Sequence, residues 1–387
     1  MQSTSSWDAI VIGAGPAGAV SAFLLGRQGL QVLLVESKRF PRTKACGGCL
    51  NPRAITALTS LGLGDTLGGC CGESFDRIRL HHARKCAEVP LPSGMSITRT
   101  TFDSALVEAA IAAGAEFVSE AKCQVLPRVD RSSRTIRWSS TNGANFTATA
   151  PIVLACDGLG HPSLHELPEF ESTIAPNSRI GLGTVIARDG AADSLPHHCI
   201  TMAVGNSGYV GLAHAENGRV SLAAAISPLV LSSGTSPTTV LQQILHSAGI
   251  DQTLIDAIEA VRGTPPITQR ANAVAGERLF LVGDAAGYVE PFTGEGMAAA
   301  IEGASLAAPL AFEAARQWRP ELADHWRRQY ARSIRSRQLA CRSIAWLVRH
   351  PQALRWSLAA LAAQPRIGTT IGRWIGRSQI QQEQHTT

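Results

Sequence analysis

The segment Ala9-Ile-Val-Ile12 runs straight into Gly13-x-Gly15-x-x-Gly18, and no other stretch restricts the fold of this chain as tightly. Four apolar residues in a row suit a short buried parallel strand, and the glycines that follow suit a sharp turn into a helix. Gly13 permits the turn, Gly15 lets a diphosphate approach the backbone, and Gly18 lets the helix pack close to the strand. Pro16 and Ala17 open the helix, whose unsatisfied N–H groups face the phosphates. Gly29 marks its end. Gln31–Val35 then forms a second apolar strand that delivers Glu36 eighteen positions after Gly18, where a carboxylate accepts both hydroxyls of an adenosine ribose. Glu36 would repel a 2′-phosphate, so the turn suits FAD or NAD rather than NADP.

The 387 residues are enough for two or three domains, and 45% apolar with 17% charged residues is the balance of a globular protein. No run of about eighteen uncharged apolar residues occurs, and Met1–Asp8 lacks the regions of a signal peptide, so a cytoplasmic location is expected. The nine cysteines are odd in number and scattered, which suits reduced thiols. No metal is expected, because the adjacent Cys70 and Cys71 fit poorly with Cys46 and Cys49 around one tetrahedral ion.

Charge is unevenly spread. Residues 301–387 hold thirteen arginines against five acids, a balance of +8, which leaves the first 300 residues at −3 of the chain's net +5. The arginines follow apolar helix spacing and no nucleic-acid motif, so no nucleic-acid partner is expected. Trp318, Trp326, Trp346, Trp356 and Trp374 lie among them. Such a surface suits weak peripheral contact with anionic lipid, an acidic acyl-carrier or reductase partner, or a plain helical cap packed on the nucleotide domain.

Along the chain, residues 1–73 read as the first part of the nucleotide-binding domain, 74–95 as strands of a substrate sheet and 96–165 as its second part. The second part holds a helix from Arg99, a parallel strand over Ala115–Val125, a hairpin around Asn142-Gly143 and a buried strand ending in Asp157-Gly158. Residues 166–270 are rich in short β runs, including a hairpin whose Asn217-Gly218 suits a type I′ turn. They read as an inserted antiparallel substrate domain with one helix near Thr238–Ser247. Residues 271–310 return to the nucleotide domain through Gly283-Asp284 and Pro291-x-x-Gly294-Glu295-Gly296-Met297. Residues 311–387 are a helical region with Leu322, Trp326, Tyr330 and Ile334 on one stripe, and a polar end after Ser378 expected to be disordered. The expected fold is α/β: a Rossmann-type domain, an inserted antiparallel sheet and C-terminal helices.

Three motifs in this order, the N-terminal glycines with Glu36, the mid-chain Asp157-Gly158 and the late Gly283-Asp284 with Pro291-x-x-Gly-Glu-Gly, resemble the para-hydroxybenzoate hydroxylase-like flavoproteins. Pro41-Arg42-x-Lys44-x-Cys46-Gly47-Gly48 is similar to the geranylgeranyl reductase branch and its relatives among flavin monooxygenases and halogenases. The resemblance implies FAD on Gly13, Gly15, Gly18 and Glu36, with Arg42 neutralising phosphate and Arg99 near the ribityl chain. It implies that the backbone of Val125 meets adenine, and that Asp284 accepts from a ribityl hydroxyl. Asp157 belongs to the mid-chain cofactor motif, and the helix after Gly294 aims its positive end at the flavin N1/C2 edge.

The Tyr-x-Trp-x-Phe-Pro pattern of isoprenoid reductases is replaced here by Gly208-Tyr-Val-Gly-Leu-Ala213, and the Trp-x-Trp-x-Ile-Pro of halogenases is absent. The expected function is therefore an FAD-dependent oxidoreductase, monooxygenase-like, acting on an apolar or aromatic small molecule with NAD(P)H or a reductase partner as reductant. The alternatives are an isoprenoid or polyene double-bond reductase and a non-catalytic FAD redox sensor. No residue announces itself as acid or base. Cys46 and Lys44 are the catalytic candidates, Cys46 as half of a dithiol with Cys49 or as a lining residue, Lys44 as a substrate-steering cation or a phosphate counterion. Tyr209 and His214 are placed on the substrate sheet, facing the pocket, the core or solvent.

Overall fold

The computed structural model describes residues 4–357 apart from residues 84, 128–129, 131, 140–142, 188–192, 233, 291–293, 351 and 355. Pro291, Asn142, Trp374 and the end after Ser378 lie outside the described residues.

Ala9–Ile12 is fully buried at the centre of a six-stranded sheet ordered Ala275–Gly276, Leu279–Leu281, Ile152–Ala155, Ala9–Ile12, Val32–Val35, Ala115–Val118. All neighbours pair in parallel except the first two. The continuous apolar runs are what such a sheet needs, because helices cover both faces. Pro16–Arg27 packs against the long helix Glu295–Arg316 and against Arg99–Ala112.

A second, eight-stranded sheet is ordered Arg262–Pro266, Ile180–Ile186, Arg219–Ile226, Gly208–Ala215, Cys199–Gly205, Glu73–His82, Lys85–Ser96, Cys49–Leu50. The strands read over 74–95 lie in this sheet, joined by part of the cysteine loop. The sheet is mixed rather than purely antiparallel, because Cys199–Gly205 pairs in parallel with Glu73–His82. Alternation in sequence fixes which face a side chain takes, whereas the direction of the neighbouring strand depends on the route of the chain between them. The hairpin turn is as expected: Asn217 and Gly218 have φ of 58° and 70°, and Arg219 N–H donates to the Glu216 carbonyl.

The strand read over Ala115–Val125 divides in two. Ala115–Val118 completes the parallel sheet, the chain turns at Glu120 with φ 57°, and Lys122–Val125 joins a separate four-stranded sheet with Arg134–Ser139, Asn145–Ala150 and Thr4–Ser6. The apolar pattern runs on across the turn, which concealed it.

The outer face of the eight-stranded sheet is covered by Pro237–Ser247, whose Val240, Leu241, Ile244 and Leu245 join Val210, Leu212 and Leu222 in one apolar cluster. Its other face looks toward the nucleotide domain. At the C-terminus the predicted stripe is buried, and the Trp326 indole donates to the carbonyls of Val274 and Leu281. This fastens Pro320–Gln329 to the edge of the parallel sheet.

Candidate cofactor and substrate site

The glycine turn shows why each glycine is required. At Gly13, with φ +97°, a Cβ would stand 2.5 Å from the Cys156 carbonyl, and at Gly18 only 1.8 Å from the Gly13 carbonyl. Gly15 is the N-cap of the following helix, without a side-chain cap, and a Cβ there would point at the Nη2 atoms of Arg42 and Arg99, each 3.6 Å away. A helix N-terminus, a bare backbone and two guanidinium groups thus converge on one cradle, the donor set a diphosphate requires.

The two arginines are held by carboxylates. Arg99 opens the helix capped by Thr98 and forms a bidentate pair with fully buried Asp103, both contacts 2.8 Å. Burial disfavours its charge, but Asp103 and the adjacent Cys46 sulfur outweigh this and raise its pKa. Arg42 reaches Asp103 at 3.0 Å and Glu36 at 3.1 Å. Glu36 also accepts from the N–H groups of Ala14 and Lys38. Burial would raise its pKa, yet Arg42 and these two donors bring it below the ordinary value. Glu36 therefore stays ionised, the state that the ribose role implied by the resemblance requires.

Beyond the cradle lies a cavity of about 360 Å³. Gly15, Pro16, Ala17, Lys44, Cys46, Arg99, Asp284, Gly294, Gly296 and Met297 all contribute to its wall, so the structure brings these sequence candidates together. Lys44 Nζ stands 3.9 Å from Asp284. The side chain is 35% exposed, but the space it opens into is the cavity itself, and desolvation there lowers its pKa against the pull of Asp284. Gly283, φ +67°, brings the Asp284 turn against Ala17, and Gly294, φ +72°, caps the helix Glu295–Arg316 beside Cys49.

Asp157, Val125 and His214 lie outside the wall. Asp157 accepts from Ser163 N–H at 2.8 Å, its Oδ1 has no hydrogen-bond partner, and burial raises its pKa. Val125 is fully buried at the end of its strand, paired with Ile136. Tyr209 lines the cavity. His214 is turned away from it, against the Leu195 carbonyl and stacked on His197 at 4.4 Å.

None of the nine cysteines is in a disulfide, and no group of three or more metal-ligating side chains gathers among the described residues. Burial, then the neighbouring Cys46, pushes the Cys49 thiol up to about 12. Cys49 is thus a protonated packing group rather than a nucleophile.

Three groups escaped the sequence. Arg53 is buried and bridges Glu295 and Glu302, while Asn51 donates to Glu295 at 3.1 Å. Together they fix the start of the long helix at the cavity. Glu290, fully buried, holds Arg179 at 2.8 Å and Arg349. Tyr288 lines the cavity against Gly296, and burial with the charge of Asp284 keeps its phenol protonated well above the ordinary range. Their partners lie more than fifty positions away in sequence, or act through burial, and neither leaves a local pattern.

A family model described as an FAD binding domain matches residues 6–338. The chain belongs to this FAD-binding family. The flavoprotein is 28% identical over 352 residues to a menaquinone reductase of Mycobacterium tuberculosis, covering 86% of this chain and 83% of that protein. It is 26% identical over 322 residues to a geranylgeranyl diphosphate reductase of Rhodobacter capsulatus, covering 81% and 77%. The fold matches that of PqsL, a probable FAD-dependent monooxygenase from Pseudomonas aeruginosa, with a TM-score of 0.71, 19% identity and coverage of 90% and 98%. The flavoprotein is an FAD-dependent oxidoreductase of monooxygenase-like architecture, and the arginine-lined cradle fits the diphosphate of FAD. No helix among the described residues is long and apolar enough to cross a membrane.

Proposed function

We propose that this flavoprotein acts, as a monooxygenase-like oxidoreductase, on a substrate carrying a long apolar chain. The observation that supports this is the shape of the cavity wall. Every strand of the eight-stranded sheet contributes to it, from Thr264 and Leu182 near one edge through Ala224 and Met202 to Leu80 and Val89 near the other. At about 4.8 Å between strands, the wall spans roughly 30 Å. That is a trough rather than a compact ring pocket.

Bound FAD would supply the redox chemistry, delivering reducing equivalents to oxygen or to the substrate. The protein's part is placement. The cradle of Gly15, Arg42 and Arg99 would hold the diphosphate and Glu36 the ribose. The helix starting at Glu295 turns its positive end toward the cavity, where it would favour negative charge on a bound flavin. Tyr288 offers a phenol that remains protonated. On the sheet side of the trough Ile78, Leu80, Val89, Ile200 and Met202 present aliphatic side chains that exclude water from the chain, while the charged Lys44, Arg99 and Asp284 belong to the nucleotide-domain side.

A second reading, reduction of an isoprenoid double bond, is favoured by the names of the two reductase relatives and by the same long trough. A nicotinamide is the proposed reductant for both. The test is turnover of a polyprenyl quinone with NADH and NADPH, in air and under argon. Oxygenation requires oxygen uptake coupled to product, whereas double-bond reduction proceeds under argon. No acceleration of flavin reduction or reoxidation by any long-chain compound would overturn the proposed substrate class.

A further inference from the structure

The helix Ser336–Arg349 is both a wall of the trough and an outer surface. Leu347 lines the cavity, and Val348 and Leu354 are buried in a cluster with Tyr209 and Ile267, which line it too. The residue next to Leu347 lies on the solvent side: Trp346 is 57% exposed, and Trp356 is 79% exposed. Trp326, thirty positions earlier, is fully buried. Indole is costly to leave in water, and two exposed tryptophans, one of them, Trp346, adjacent in the chain to the cavity-lining Leu347, indicate something that covers them.

Charge identifies that occupant. From His325 to Gln382 the sequence holds eleven arginines and no Asp or Glu. Arg335 and Arg342 are exposed on the described part, and Arg342 lies one helical turn from Trp346. Arg349 is an anchor rather than a free cation, since it bonds to Glu290 and to the Asn177 carbonyl. Exposed indoles with neighbouring guanidinium groups are the complement of an anionic bilayer surface, where the ring sits at the headgroup level and the cations meet phosphate.

We infer that the exposed side of Ser336–Arg349 carrying Arg342 and Trp346, together with the exposed Trp356 that follows it in the chain, docks on an anionic lipid surface, and that the substrate chain passes from the bilayer into the trough beside Leu347. The second half rests on the long-chain reading above; the docking itself does not. The chain would then leave lipid for an apolar wall without crossing water.

The test is flotation of the full-length holoprotein with phosphatidylcholine vesicles, with and without phosphatidylglycerol, at low and high salt. The expected result is binding to the anionic vesicles, weakened about tenfold or more by the double substitution Trp346→Ser and Trp356→Ser. The flavin spectrum and far-UV circular dichroism should remain those of the parent. Protein left unbound by anionic vesicles at low salt would overturn the docking. So would binding that salt abolishes but the double substitution leaves unchanged, since charge alone would then suffice and an acidic protein surface would be the better occupant. Turnover of a detergent-dispersed long-chain substrate separates the two ideas. It should be equal in parent and double variant, and its absence in the parent would remove the substrate reading while vesicle binding stood.

Discussion

Arg349 on the last described long helix reaches Glu290, 59 positions earlier, with Nη2 and Oε2 2.5 Å apart and the carboxylate fully buried. Glu290 also holds Arg179, so one acid ties the C-terminal helix to the substrate sheet beside the cavity. Replacing Glu290 by Gln would leave two guanidinium groups without their counter-charge. The expected cost is about 3 kcal/mol or more in unfolding free energy by denaturant titration. A loss below about 0.5 kcal/mol would show that the network does not fasten the helix.

Arg99 is aimed at the diphosphate cradle by its bidentate bond to Asp103. Arg99→Ala should weaken FAD binding between about tenfold and a hundredfold, with Arg99→Lys between that and the parent, because lysine keeps the charge and loses the fork. Titration of the apoprotein by flavin fluorescence reads this directly. Unchanged affinity in Arg99→Ala would place the diphosphate elsewhere.

Glu36 has its pKa depressed in the folded protein, so the sign of its pH effect is fixed. Its contribution is fully present above the ordinary value of 4.5 and is lost as pH falls through the lower folded value. FAD retention should therefore hold from neutrality down to about pH 4.5 and then fall, while Glu36→Gln should bind FAD more weakly at pH 7 and lose this acid limb. An acid limb identical in both proteins would assign it to another carboxylate.

Cys49, with a thiol pushed up to about 12, should resist alkylation by iodoacetamide at pH 8, whereas the exposed Cys71 reacts. Cys49→Ala should retain turnover within about twofold, since a small apolar group replaces a small apolar group. Peptide mapping and steady-state assay check the pair. A collapse of turnover would restore the dithiol mechanism.

Val89 lies near the far edge of the trough. Val89→Phe should shorten the trough and lower kcat/KM for a long-chain substrate by about tenfold, while a short-chain analogue with the same head reacts as before. Equal effects on both would mean that the chain runs another way.

The dinucleotide turn was legible because each of its residues is fixed by a local demand. Positive φ at Gly13 and the 1.8 Å approach at Gly18 exclude any side chain, so the glycines appear at set spacing whatever the rest of the protein does. The Asn217-Gly218 turn was legible for the same reason. The division of the 115–125 strand was not, since a Glu at φ 57° gives no sign in the sequence. Nor was the parallel join between Cys199–Gly205 and Glu73–His82, whose partners come from distant parts of the chain.

The sequence by itself determined the glycine turn, the acid Glu36 after the second strand and the apolar character of the second sheet, because backbone geometry and side-chain type act over a few residues. Only the tertiary structure decided that Arg42 and Arg99 meet over Gly15, that Tyr209 faces the cavity while His214 turns away, and that Trp326 is buried while Trp346 is exposed. Burial and charge pairing depend on which distant surfaces come together, and identical residue types on two helices of the same C-terminal region take opposite environments once those surfaces meet.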